Sequence, residues 1–131
     1  MITAKVTALV TIAAILYTFL LSARVGALRG KTGVAAPATS GDPLFERAFR
    51  VHLNTVEQLV LFLPVLWLAV AVVGDAWTGL IGAVWLAGRI VYATTYMRDP
   101  AKRGPGMLVT LAATLTLTGI TLVGIVRAFT G

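Results

Sequence analysis

The residue pattern of this chain predicts an all-α integral membrane protein folded as an up-and-down bundle of four helices. Three observations lead there. The chain is 58% hydrophobic and 12% charged, where soluble domains average about 45–50% and about 25%. Its mean hydropathy is +0.91. Its charges also divide it into four long apolar stretches. The same figures exclude disorder and collagen-like repeats, and 131 residues fit one domain, 1–131. The lack of cysteine removes disulfide scaffolds, thiolate metal sites and cysteine nucleophiles, and no metal site is expected. A formal charge of +6 would point to nucleic acid only if the cations formed one soluble patch. They are divided between loops and helix faces, so no nucleic-acid partner is expected.

The first span, about 4–24, rests on eighteen uncharged residues between Lys5 and Arg24. That run exceeds a signal-peptide core of about 7–15 residues, so it is read as a retained helix. The second, 43–74, contains the uncharged stretch 58–74 and opens at Asp42-Pro43, an N-cap followed by proline at the first helical position. The third, 76–97, carries a single charge, Arg89. The fourth, 105–127, follows the breakers Asp99-Pro100 and Gly104-Pro105-Gly106. A crossing helix needs about 20 apolar residues, and in lipid a helix satisfies its own backbone. The connection between spans two and three is so short that they must form an antiparallel hairpin. Gly30, Gly33, Pro37, Ser40 and Gly41 mark a flexible first loop. Thr110, Thr114, Thr118 and Thr121, with Gly119 and Gly124, predict a close-packed last helix whose hydroxyls face its neighbours.

Arg24, Arg29 and Lys31 precede span two, and Arg98, Lys102 and Arg103 precede span four; Lys5 and Arg127 are the only cations at the other end, beside the acidic Asp75. The positive-inside rule therefore places loops one and three in the cytoplasm and both termini outside. The Ala- and Val-rich, cysteine-free character points to a bacterial inner membrane.

Two polar stripes interrupt the apolar pattern. At about 100° per residue, Glu46, Glu57, Arg50, Asn54 and Arg47 share an arc of roughly 100° on the second helix, with His52 apart near 240°. On the third helix Trp85, Arg89, Tyr92 and Tyr96 fall within about 60°. Much of this has an ordinary structural explanation. Glu46 and Arg50 are spaced as a helix-stabilising pair, Arg47 suits a membrane anchor, and Trp67, Trp77 and Trp85 suit belt or packing positions. Those explanations leave Asn54 and Glu57, deeper on the Arg50 face, and Arg89 within its span. Ionisable groups inside a membrane are functional candidates. Cations, a carboxylate, an amide and two phenols together suit a small anionic ligand that also carries an amine.

The segment Phe45-Glu46-Arg47-x-x-Arg50-Val51-x-x-Asn54-x-x-Glu57, with Phe62-Leu63-Pro64-x-Leu66-Trp67 after it, resembles the signature of the MAPEG family, membrane-associated proteins of eicosanoid and glutathione metabolism. Gly88-Arg89-x-x-Tyr92-x-x-x-Tyr96 and Arg103-Gly104 resemble the family's third helix and following loop. The resemblance covers nearly the whole chain. It implies a homotrimer that binds glutathione between subunits at the cytoplasmic side. It implies glutathione contacts from Arg50, Asn54, Glu57, Arg89, Tyr92 and Tyr96, with Arg24 and His52 supplied by the neighbouring subunit. Arg103 matches the arginine used at the sulfur. The implied activity is a detoxifying glutathione transferase or peroxidase, taking a lipophilic electrophile or lipid hydroperoxide from the membrane lipids. Gln58 stands where synthase-type members have tyrosine, so an eicosanoid substrate does not follow. Two other readings stay open: a non-catalytic lipid-binding scaffold of the same family, and a small proton-coupled exporter. An exporter would want a titratable carboxylate in the first span, which has none.

Overall fold

A computed structural model describes every residue, Met1–Gly131. The chain is all-helical: α1 is Lys5–Thr32, α2 is Pro43–Arg98, a short 3-10 turn spans Pro100–Arg103, and α3 is Gly104–Thr130. Three helices are therefore long and apolar enough to cross a membrane, where the sequence pattern predicts four separate rods. The difference lies in α2. Its 56 residues would extend about 84 Å at 1.5 Å per residue, far beyond a hydrocarbon core of about 30 Å. Gly74 interrupts it with φ 79° and ψ 172°, a conformation open to glycine because it has no Cβ.

The two halves of α2, 43–73 and 75–98, then pack antiparallel. Phe62 stacks on Trp85 with ring centroids 4.0 Å apart and planes 4° from parallel. Nearer the open end, Arg89 bonds to Asn54, and Arg47 donates to the carbonyls of Met97 and Arg98, each at 3.2 Å. Partners thus rise along one half as they fall along the other.

Carboxylates cap the starts of α2 and α1. Asp42 accepts from the Leu44 and Phe45 N–H groups at 2.9 and 3.0 Å, as the Asp-Pro pair predicts. At α1 the cap comes from far away: Asp75 accepts from Val6 N–H at 2.9 Å and from Thr7 N–H at 2.8 Å. Those hydrogen bonds hold the Asp75 carboxyl below the usual carboxylate range, Thr7 contributing most and Val6 next. α1 continues past Arg24 to Thr32, so Arg24 sits within a helix and not at its end. The Gly- and Pro-bearing stretch after α1 is anchored, not loose. Arg29 Nη1 donates to Ala38 O at 2.7 Å and Val34 O at 3.3 Å, and its guanidinium lies 4.6 Å from the Phe45 ring centre.

Thr110, Thr114 and Thr121 of α3 are buried, as expected of a close-packed face, and Thr110 Oγ1 faces Gly88, but their hydroxyls do not bond to the neighbouring helix. Thr110, Thr114 and Thr118 donate to carbonyls one turn back in their own helix, Gly106, Thr110 and Thr114, and Thr121 has no partner. Bonding to the i−4 carbonyl satisfies a hydroxyl without any neighbouring helix. Close approach to the second half of α2 occurs instead at Gly106, where a Cβ would collide with the Tyr92 backbone, and at Gly88, against Val109 and Thr110. Gly124 approaches Val72, whereas Gly119 meets nothing.

Only 31 of 131 residues are buried, and Leu9, Phe19, Leu20, Val60, Leu108 and Leu122 stand among many exposed apolar side chains. Such an exterior is matched to lipid or to other apolar surfaces, not to water. Inside are two apolar clusters: one contains Leu21, Val25, Phe45, Val51 and Tyr92, the other Val10, Phe62, Leu66, Trp85 and Leu117. Between these levels of α2 lie the buried polar residues Asn54, Thr55 and Arg89.

Candidate functional site

The site lies toward the loop end of the bundle, where the first half of α2, its second half and the start of α3 meet. Arg50, Asn54, Tyr92, Tyr96 and Arg103 line one cavity of about 250 Å³, closed on one side by Met107. The helical spacing of each stripe brings its members to a common face, and the reversal at Gly74 turns the two faces together. Asp99 ends α2 and caps the 3-10 turn by accepting from Ala101 N–H at 3.0 Å. That turn places Arg103 beside the tyrosines.

The polar groups are interconnected. Glu57 Oε1 lies 3.8 Å from Arg50 Nη1, both side chains about half exposed, and its Oε2 accepts from Asn54 Nδ2 at 3.3 Å. Arg89 is 1% exposed; its Nη2 donates to Asn54 Oδ1 at 3.0 Å and to Thr55 Oγ1 at 2.8 Å. Its guanidinium also stacks 4.2 Å from the Tyr92 ring centre, a favourable arrangement for a cation withdrawn from water. The Tyr92 and Tyr96 rings are 5.5 Å apart. A cavity with two guanidinium groups, an amide and two phenols can grip carboxylate and carbonyl oxygens, and the carboxylate behind it can accept from an ammonium.

Not every residue of the stripes joins this cavity. Glu46 does not pair with Arg50; its carboxylate accepts from Gly41 N–H at 2.9 Å and ties down the loop. Arg47 holds the terminal carbonyls of α2, where a cation opposes the negative end of the helix dipole. Arg89 lies behind the cavity and borders a separate one of about 370 Å³ with Gln58, Met107, Leu108 and Leu111. Trp85 is fully buried in the apolar core, while Trp67 and Trp77 are exposed. His52 lines a different hollow of about 200 Å³, with Ile15, Thr18, Phe19, Ser22 and Leu59. Arg24 is exposed on α1 and makes no ion pair.

Sequence reasoning missed Thr55, which lies off the polar arc and serves as the second acceptor for Arg89. It also missed Met107, the shared wall of the two cavities. Thr55 could have been suspected only from the need of a buried guanidinium for more than one acceptor.

Known proteins share this arrangement of sequence. The chain is 46% identical over 99 residues to an uncharacterized protein of Synechocystis sp., covering 76% of this chain and 72% of that one. It is 34% identical over 106 residues to microsomal glutathione S-transferase 2 of Homo sapiens, covering 81% and 72% of the two chains. It is 30% identical over 120 residues to leukotriene C4 synthase of Bos taurus, covering 92% and 80%. The MAPEG family profile matches residues 7–123, and with apolar helices of membrane-crossing length the chain belongs to the MAPEG family as an integral membrane protein.

Proposed function

We propose that this protein is a membrane-bound glutathione transferase that joins the glutathione thiolate to lipophilic electrophiles. The observation that carries the reading is the convergence of Arg50, Asn54, Tyr92, Tyr96 and Arg103 on one cavity. Glutathione offers two carboxylates, an ammonium and two peptide groups, and the site holds the complementary set. Arg50 takes a carboxylate, Glu57 takes the ammonium, and Asn54 with the tyrosine hydroxyls donates to carbonyl or carboxylate oxygens.

Arg103 supplies the chemistry. The thiolate, not the thiol, is the nucleophile, and a guanidinium beside the sulfur stabilises the anion and lowers the thiol pKa. The sulfur then attacks an electrophilic carbon. A C–S bond forms, and the displaced group leaves with the bonding pair, as chloride does from a chloronitroarene. No protein nucleophile is required, which accords with a chain lacking cysteine. Apolar co-substrate reaches the sulfur from the lipid side, while glutathione enters from the basic-loop side, in this reading the cytoplasmic one. With glutathione as sole reductant, a lipid hydroperoxide would be reduced to its alcohol and water as two thiols become one disulfide.

The reading includes four membrane crossings per subunit and a homotrimer. A cavity of about 250 Å³ falls below the usual ligand range of about 300–1,000 Å³. A neighbouring subunit would enlarge it and bring the unpaired Arg24 and the outlying His52 against the ligand.

Calorimetry on the detergent-purified protein tests the binding, with reduced glutathione, oxidised glutathione and cysteine compared. Selective uptake of the reduced tripeptide is expected, together with an ultraviolet thiolate band that Arg103→Ala abolishes while binding persists. Equal thiolate signals in both proteins would remove Arg103 from the mechanism, and no binding of glutathione would end the proposal.

A further inference from the structure

Arg89 differs from the other cations of the region, because it supports the cavity without lining it. It is buried, two acceptors saturate one of its nitrogens, and its plane lies against Tyr92. Arginine carries only donors, so the Asn54 atom that faces it must be the amide oxygen. The Asn54 nitrogen is thereby turned the other way. One of its two N–H groups goes to Glu57, which leaves the second for the cavity that Asn54 borders.

We propose that Arg89 is a positioning residue: from behind the wall it fixes the Asn54 amide so that the site presents an N–H donor to a carbonyl or carboxylate oxygen of the bound tripeptide, and it steadies the Tyr92 ring beside it. This rests on the glutathione reading above. Without Arg89 the Asn54 amide keeps only its 3.3 Å bond to the half-exposed Glu57 carboxylate, so it is free to turn and the site would lose a fixed donor. Thr55 belongs to the same device. It anchors the nitrogen that holds Asn54, and its own hydroxyl donates to Val51 O at 2.8 Å.

A double-mutant cycle in the purified, full-length protein tests this with Asn54→Ala, Arg89→Met and their combination, read as the dissociation constant for reduced glutathione. Each single variant is expected to weaken binding by about tenfold. The double variant should be no weaker than about tenfold, where independent contacts would multiply to about a hundredfold. The pH midpoint of the thiolate band should not move, because Arg103 is untouched, and Arg89→Lys should recover part of the affinity. If Arg89→Met does not fold, Thr55→Val replaces it in the same cycle and should weaken binding a few-fold, again without adding to Asn54→Ala. Multiplying losses, or a shifted thiolate midpoint, would overturn the positioning role while leaving the glutathione site standing. A wild-type protein that fails to bind glutathione would overturn both, and is recognised before any variant is compared.

Discussion

Among the glycines at helix contacts, Gly106 is the one whose added Cβ would meet the backbone of a neighbouring helix most closely, at Tyr92, and Gly106→Ala puts the whole arrangement to a quantitative test. An added Cβ would collide with the Tyr92 nitrogen and stand 2.6 Å from its Cα and 2.8 Å from its Cβ. Carbon atoms rest at about 3.5–4.0 Å, so α3 must retreat by about 1 Å. Overfilling a packed contact costs about 1–3 kcal/mol, and the upper part of that range applies because backbone faces the new methyl. Alanine returns at most about 1 kcal/mol of helix propensity. A net loss of about 1–2 kcal/mol is expected. The displaced residue also borders the cavity, so glutathione affinity should fall with stability. Thermal unfolding in detergent, with calorimetry on the same samples, measures both. Gly26→Ala is the control: nothing lies within 4 Å of its added methyl, and its stability should hold or rise. A Gly106→Ala protein as stable as wild type, with unchanged affinity, would refute the helix contact and its link to the site.

Three further outcomes follow from the caps and the core. The Asp75 carboxyl is held below its ordinary value, so its contribution is full above about pH 4 and disappears as pH falls through the lowered value; Asp75→Asn should flatten the acid limb of a plot of unfolding temperature against pH. Asp42→Ala removes the acceptor for two N–H groups and should lower stability by about 1 kcal/mol in thermal unfolding. Trp85→Ala removes the ring stacked on Phe62 in the second apolar cluster and should cost about 3–5 kcal/mol, measured the same way.

Much of this molecule is legible in its sequence because charge is so scarce in it. Lys5, Arg24, Glu57 and Asp75 frame apolar runs that can only be long helices, and Asp42-Pro43 marks a helix start without help from tertiary structure. The meeting of the Asn54 face with the Arg89 face was also legible, since a connection as short as Gly74-Asp75 leaves two rods little choice but to lie side by side. What a helical wheel does not encode is height. Glu46 and Arg47 share the azimuth of Arg50 but sit low enough to meet a loop backbone and a helix end instead of the cavity. The α3 threonines show a second ambiguity: a spacing of four residues serves back-bonding to the helix's own carbonyls as well as it serves a neighbouring helix. Thr55 and Asp75 were hidden for a third reason. Each acts on a partner distant in the chain, Arg89 in one case and the Val6 and Thr7 amides in the other, and no local pattern announces such a pairing.

The tie between Asp75 and the first turn of α1 also sets an order on biosynthesis. α1 is translated before α2 and lacks a side-chain cap of its own, and the carboxylate that completes it is made sixty-nine residues after Val6. Until the hairpin has been synthesised and brought alongside, the start of α1 keeps two bare amides. Its final seating is therefore a late event, however early its translation.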